Sequence, residues 1–116
     1  MSFYESDTIA AIATPPGEGG VGIVRISGPE VWSIADKIFC AMDGVPVSER
    51  PHGTFAYGRV LDGSGVEIDT GLALVMRAPK SYTREDVVEI QGHGGTVGMR
   101  RILRRVLEAG ARLAEP

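Results

Sequence analysis

The sequence predicts an α+β domain: a mixed, mostly antiparallel sheet with two helices packed on a face. Three observations carry this. Two windows, residues 31–39 and 99–107, place their apolar side chains at the helical period. Five shorter windows alternate with period two or run β-branched, as strands do. The 16 glycines and seven prolines fall at the joints between these windows rather than in one low-complexity block. The resulting order is β-β-α-β-β-β-α with a terminal extended segment, and no repeat of about 20–50 residues is visible.

Taken in order, residues 8–13 (TIAAIA) are a short apolar strand, and TPPGEGG after them is a loop. Residues 21–27 (VGIVRIS) alternate, with Val21, Ile23 and Arg25 on one side and Gly22, Val24 and Ile26 on the other. Gly28-Pro29-Glu30 reads as a helix start, with proline at the first helical position and glutamate complementing the macrodipole. Val31, Ile34, Ala35, Ile38 and Phe39 then form its buried stripe, with Trp32 beside it and Cys40 near its end. Residues 43–53 have two prolines and no period, and read as a surface connection.

Residues 54–61 alternate, with Phe55, Tyr57, Arg59 and Leu61 on one face, and Asp62-Gly63-Ser64-Gly65 makes a hairpin turn. Residues 68–76 return as a strand whose second half is apolar on both faces, which suits the interior of a sheet. After a loop over 77–86, residues 87–91 form a fifth strand with Glu89 and Gln91 on one side. A second helix starts at Thr96, presents Met99, Ile102, Leu103, Val106 and Leu107, and stops at Gly110.

Composition narrows the class. With 43% hydrophobic and 23% charged residues in 116, the chain is an ordinary globular domain, able to bury roughly two thirds of its unfolded surface. A net charge of -3 gives no general attraction for polyanions, although local basic patches are compatible with it. The single cysteine, Cys40, excludes an internal disulfide, and MSFYESDTIA lacks the basic and apolar regions of a signal peptide, so a cytoplasmic location is expected. No apolar run approaches the ~20 residues of a membrane span, and no membrane role is expected. The apolar-alternating ARLAEP, cut short at Pro116, reads as part of a longer protein, of which residues 1–116 form one domain.

Several motifs dissolve in context. Gly17, Gly19 and Gly22 match G-x-G-x-x-G, but they open a strand, whereas a dinucleotide loop leaves a strand and opens a helix. There is no G-x-x-x-x-G-K-[ST], hence no phosphate-binding P-loop, and no G-x-S-x-G elbow. Thr83-Arg84-Glu85-Asp86 has capping-box spacing, yet VVEI behind it is β-branched and short, so a turn entering a strand is the better reading. His93, in a Gly-His-Gly-Gly turn, could act as base or ligand, or simply bond to backbone. With His52 and Cys40 as the only other soft ligands and no suitable spacing, no metal site is expected. Arg100, Arg101, Arg104 and Arg105 form a basic band on the second helix opposite its apolar stripe: a solvated face, or a contact for nucleic-acid phosphate.

The site candidates are Arg25 and Glu89, charges set within apolar strands. A buried carboxylate without a partner costs several kcal/mol, roughly, so Glu89 requires one. Either the two pair across the sheet, or they meet a ligand: a carboxylate matches an amino-pyrimidine edge, and a guanidinium forks onto a carboxylate tail. A pterin bearing a glutamate tail has both groups.

The segments DTIAAIATPPGEGGVGIVRISGPE, APKSYTREDVVEIQGHGG and RRILRRVLEAGARLAEP closely resemble the N-terminal domain of the bacterial tRNA-modification GTPase family TrmE/MnmE, over essentially the whole chain. The resemblance implies a fold similar to half of the folate-binding domain of aminomethyltransferases, completed by pairing as a homodimer. It implies binding of a one-carbon tetrahydrofolate, of 5-formyl or methylene type, with the family's folate contacts mapping onto Arg25 and Glu89 and a further lysine lying beyond residue 116. It also implies a longer protein with a helical domain and an inserted GTPase domain, the latter using GTP, magnesium and potassium. That GTP hydrolase would act with a flavoprotein partner, GidA/MnmG, on the wobble uridine of tRNA. One departure stands out: Arg84 occupies a position where the family usually has glycine. The expected function is therefore folate binding and dimerisation, without GTPase activity in this piece. The alternatives are a purely structural dimerisation module and a tRNA-contacting surface built on the second-helix arginines.

Overall fold

In a computed structural model, described over residues 7–13, 20–81, 84–93 and 95–115, the alternating windows become one seven-stranded sheet. The chain runs β1 (Ile9–Ile12), β2 (Val21–Ser27), α1 (Val31–Ile38), β3 (Phe39–Ala41), a 3-10 turn (Val47–Glu49), β4 (Phe55–Leu61), β5 (Glu67–Met76), β6 (Val87–His93), α2 (Thr96–Glu108) and β7 (Arg112–Leu113). The spatial order is β3-β4-β5-β6-β2-β1-β7, antiparallel throughout except where β7 runs parallel to β1. The α+β class and the mixed, mostly antiparallel sheet are those expected.

One face of the sheet is the core. Alternation points Ala10, Val24, Ile26, Val60, Ala73, Val75, Val88 and Ile90 to that face. They meet Val31, Ile34, Ala35 and Ile38 of α1 and Met99, Ile102 and Val106 of α2 in one buried cluster. Gly22 belongs to the same face because Met99 fills the place of its side chain: a Cβ there would lie 2.3 Å from the thioether sulfur. The opposite face carries Val21, Ile23, Arg25, Phe55, Tyr57, Leu72, Leu74, Glu89 and Gln91, and no described element covers it.

Three local readings are corrected. Helix α1 starts at Val31, so Pro29 and Glu30 precede it instead of occupying its first turn. The Glu30 amide donates to Thr8 Oγ1 at 2.7 Å, which ties that turn to the strand before it. Phe39, placed in the helical stripe by periodicity, is the first residue of β3, where pairing with Val60 overrides the helix; it is still buried. Residues 43–53, read as a surface connection, hold the 3-10 turn, and Val47 within them is buried rather than at the surface. The predicted loop at residues 14–19 and the capping-box Thr83 lie outside the described residues.

At the far end, Gly110 at φ +129° stops α2. The amides of Arg112 and Ala114 then donate to the carbonyls of Thr8 and Ala10, making the expected terminal extended segment a strand beside β1.

Candidate functional site

Arg25 on β2 and Glu89 on β6 are register partners in adjacent central strands, on the uncovered face. The Arg25 Nε donates to Glu89 Oε2 at 2.7 Å, and a terminal nitrogen lies 2.7 Å from the same oxygen. The pairing reading of these two charges is thus realised. It is not a sealed pair, however. The Arg25 side chain is 37% exposed while that of Glu89 is 9% exposed, and Glu89 Oε1 has no hydrogen-bond partner among the described residues. Among the described residues, this largely buried carboxylate thus has one oxygen without a partner, on the face that no described element covers.

The next residue of β6 on this face is Gln91, and beside it the surface dips. Gly20, Val21, Tyr57, Thr70, Gly71, Leu72, Gln91, Gly92 and His93 line a depression of about 260 Å³. Gly71, one of the lining residues, sits against β6 backbone, where a Cβ would lie 1.9 Å from the Gln91 carbonyl oxygen. Small-molecule sites run from roughly 300 Å³ upward. The cavity falls just short of that range and is lined by both polar residues, Thr70, Gln91 and His93, and apolar ones, Val21 and Leu72.

The sequence placed His93 in a turn; it is the last residue of β6, paired with Val21. Asp69 holds it there. The His93 amide donates to Asp69 Oδ2 at 2.9 Å, and the ring Nδ1 lies 2.6 Å from Asp69 Oδ1. Sequence reasoning missed Asp69, which is 24 residues from His93 and looks like any strand carboxylate. The one signal was Gly92, a strand glycine that leaves room for a neighbour.

Elsewhere the arginine band divides. Arg105 is committed to the fold: its Nε donates to the Leu61 carbonyl at 2.8 Å and its side chain is 14% exposed. Arg100, Arg101 and Arg104 remain exposed, the latter two lining, with Asp62, Ile68, Arg105 and Glu108, a second depression of about 150 Å³. Asp62 is held below the usual carboxylate range by the amides of Val66 and Ser64 and by the nearby Arg105 and Arg101. Among the described residues no three His, Cys, Asp or Glu side chains form a metal-binding group, and no helix is long and apolar enough to cross a membrane. Arg84, the departure noted in the loop before β6, has φ 66°, a left-handed backbone that glycine adopts freely.

A family model described as the GTP-binding protein TrmE N-terminus matches residues 8–116. The chain is 56% identical over 110 residues to the tRNA modification GTPase MnmE of Symbiobacterium thermophilum, covering 95% of this chain and 24% of that protein. It is 54% identical to the MnmE of Roseiflexus castenholzii, covering 95% and 23%, and 53% identical to that of Levilactobacillus brevis, covering 97% and 24%. The chain thus spans about a quarter of the length of these relatives.

Proposed function

The chain belongs to the TrmE N-terminal domain family, and from that premise we propose that it binds a one-carbon tetrahydrofolate and pairs as a homodimer within a tRNA modification GTPase. The observation that supports folate binding is the largely buried Glu89 carboxylate, whose Oε1 has no partner among the described residues, on an apolar sheet face beside a cavity of about 260 Å³. A reduced pterin offers paired N–H donors that a carboxylate accepts, and its glutamate tail suits a guanidinium. Arg25 and Glu89 would hold the ligand, and the tetrahydrofolate would carry the one-carbon unit. Dimerisation has its own support. Val21, Phe55 and Tyr57, between 56% and 63% exposed, form an apolar surface that a second copy would cover. GTP hydrolysis, with its magnesium and potassium, the flavoprotein partner MnmG and the wobble uridine of tRNA belong in this reading to the longer protein acting in the cytoplasm.

Calorimetric titration with 5-formyltetrahydrofolate tests the reading. Saturable binding that Glu89→Ala lowers at least about tenfold, with sedimentation of the dimer unchanged, is the expected result. A dimer that takes up no folate would leave the domain a structural pairing module. The exposure of Arg100, Arg101 and Arg104 favours a second, compatible role as a tRNA phosphate contact. In that case Arg101→Glu with Arg104→Glu weakens tRNA binding and flattens its salt dependence; an unchanged salt slope would make the band a solvated face.

A further inference from the structure

We propose that Asp86 is a positioning residue of the folate site: it fixes the connection between β5 and β6 as a wall across one end of the bare sheet face, against which a ligand held by Glu89 rests. The inference rests on the folate reading and adds to it the direction in which the ligand lies.

Both side-chain oxygens of Asp86 are committed. One accepts from the Ala78 amide at 2.8 Å, and the other from the indole Nε1 of Trp32, on α1, at 3.0 Å. The Asp86 carbonyl accepts from the Gly28 amide at 3.1 Å. The first of these bonds joins the two ends of the connection, eight residues apart, and the other two fasten it to α1 and to the turn after β2. Arg77 tightens the same neck. Its guanidinium lies 4.1 Å from the centroid of the Trp32 ring and donates to the carbonyls of Ser48 and Arg50 at 2.6 and 2.8 Å. Within the connection, the Lys80 amide donates to the Arg77 carbonyl, the Arg84 amide to that of Ser81, and the Ser81 hydroxyl to that of Glu85.

Ser27 shows where this structure meets the sheet. Its hydroxyl donates to Glu85 Oε2 at 2.8 Å, and it lies two residues from Arg25 on the same face. Ser27 and its register partner Val87 are 5% and 0% exposed, whereas Val21, at the other end of β2, is 59% exposed. The bare face is therefore closed at the Ser27 end and open toward Val21. Glu89 stands only two residues from Val87, about 7 Å along the strand. A ligand held there abuts the connection on one side and extends on the other toward Gln91 and the cavity. A loop that had to be ordered on binding would cost affinity; Asp86 orders this one during folding.

The test combines calorimetric titration with 5-formyltetrahydrofolate and hydrogen exchange at the Lys80 and Arg84 amides, on the unaltered chain and on Asp86→Ala. In the unaltered chain exchange at these amides changes little on saturation. In Asp86→Ala they exchange faster in the free protein and recover protection with ligand, affinity falls about fivefold, and the amides of β2 and β6 keep their protection. A contact that served stability alone would leave affinity unmoved. Wild-type affinity in Asp86→Ala, or exchange at Lys80 and Arg84 that the substitution leaves unchanged, overturns the proposal while leaving folate binding in place. No binding by the unaltered chain overturns both. Should Asp86→Ala fold poorly, Trp32→Phe decides by the same two readouts, since it keeps an aromatic ring beside Arg77 and removes the indole donor.

Discussion

Arg25 and Glu89, charges on adjacent strands, pair because a largely buried carboxylate is costly alone. Removing Arg25 leaves Glu89 largely buried against apolar neighbours; breaking a fully buried pair costs about 3–5 kcal/mol, and the exposure of Arg25 reduces this to about 1–3. Arg25→Ala is accordingly expected to lower the urea midpoint more than the double variant Arg25→Met/Glu89→Leu, which removes both charges. A midpoint for the single variant equal to wild type would mean that water already solvates Glu89. These two residues were legible in the sequence because a charge interrupting β-branched alternation is itself a signal. Asp69 and His93 were not, since their meeting depends on the pairing of β5 with β6, which no short window encodes. Gly71 follows the same logic. Its missing Cβ would collide with backbone, which cannot swing aside, so Gly71→Ala is expected to destabilise the fold by about 1–3 kcal/mol in urea denaturation.

At the scale of elements, the turn between β4 and β5 and the helix above it act together. Asp62 caps the turn by accepting from the amides of Ser64 at 2.8 Å and Val66 at 2.9 Å, while Arg105 reaches down to Leu61. Because these contacts lower the folded pKa of Asp62, its contribution is present above the ordinary carboxylate pKa and lost as pH falls through the lowered value. Amide exchange at Ser64 and Val66, corrected for intrinsic rates, should therefore lose protection in acid, and Asp62→Ala should abolish that pH dependence. Arg105→Ala should destabilise by about 1–3 kcal/mol, whereas Arg101→Ala stays within about 0.5, as measured by urea unfolding. Sequence periodicity set all four arginines on one band but could not separate the structural one, because the separation comes from the tertiary approach of Leu61. It likewise missed β3, three residues long, whose strand character exists only through pairing with Gly58, Arg59 and Val60.

For the molecule as a whole, the asymmetry of the sheet is the dominant fact. Both helices pack on one face, and the other keeps aromatic and aliphatic side chains in water. The proposed pairing of two copies predicts that Tyr57→Asp shifts sedimentation toward monomer while circular dichroism stays folded; a monomeric wild type at high concentration would remove the need for a covering partner. The fold class was legible because the periods of two and 3.6 are local. Which face stays bare was not, since alternation marks two faces of a strand and leaves open which of them the helices choose.

β6 lies between β5 and β2 and joins the two halves of the sheet through its ladders on both sides. If a ligand binds at Glu89 as proposed, it docks on the strand that joins those halves, and its binding free energy adds to the stability of the folded sheet. A ligand present at a hundred times its dissociation constant would add about 2.7 kcal/mol to global stability. Heat-melting scans across a panel of small heterocycles that includes reduced folates therefore test the proposed binding without any catalytic assay; a melting temperature unmoved by every compound would count against it.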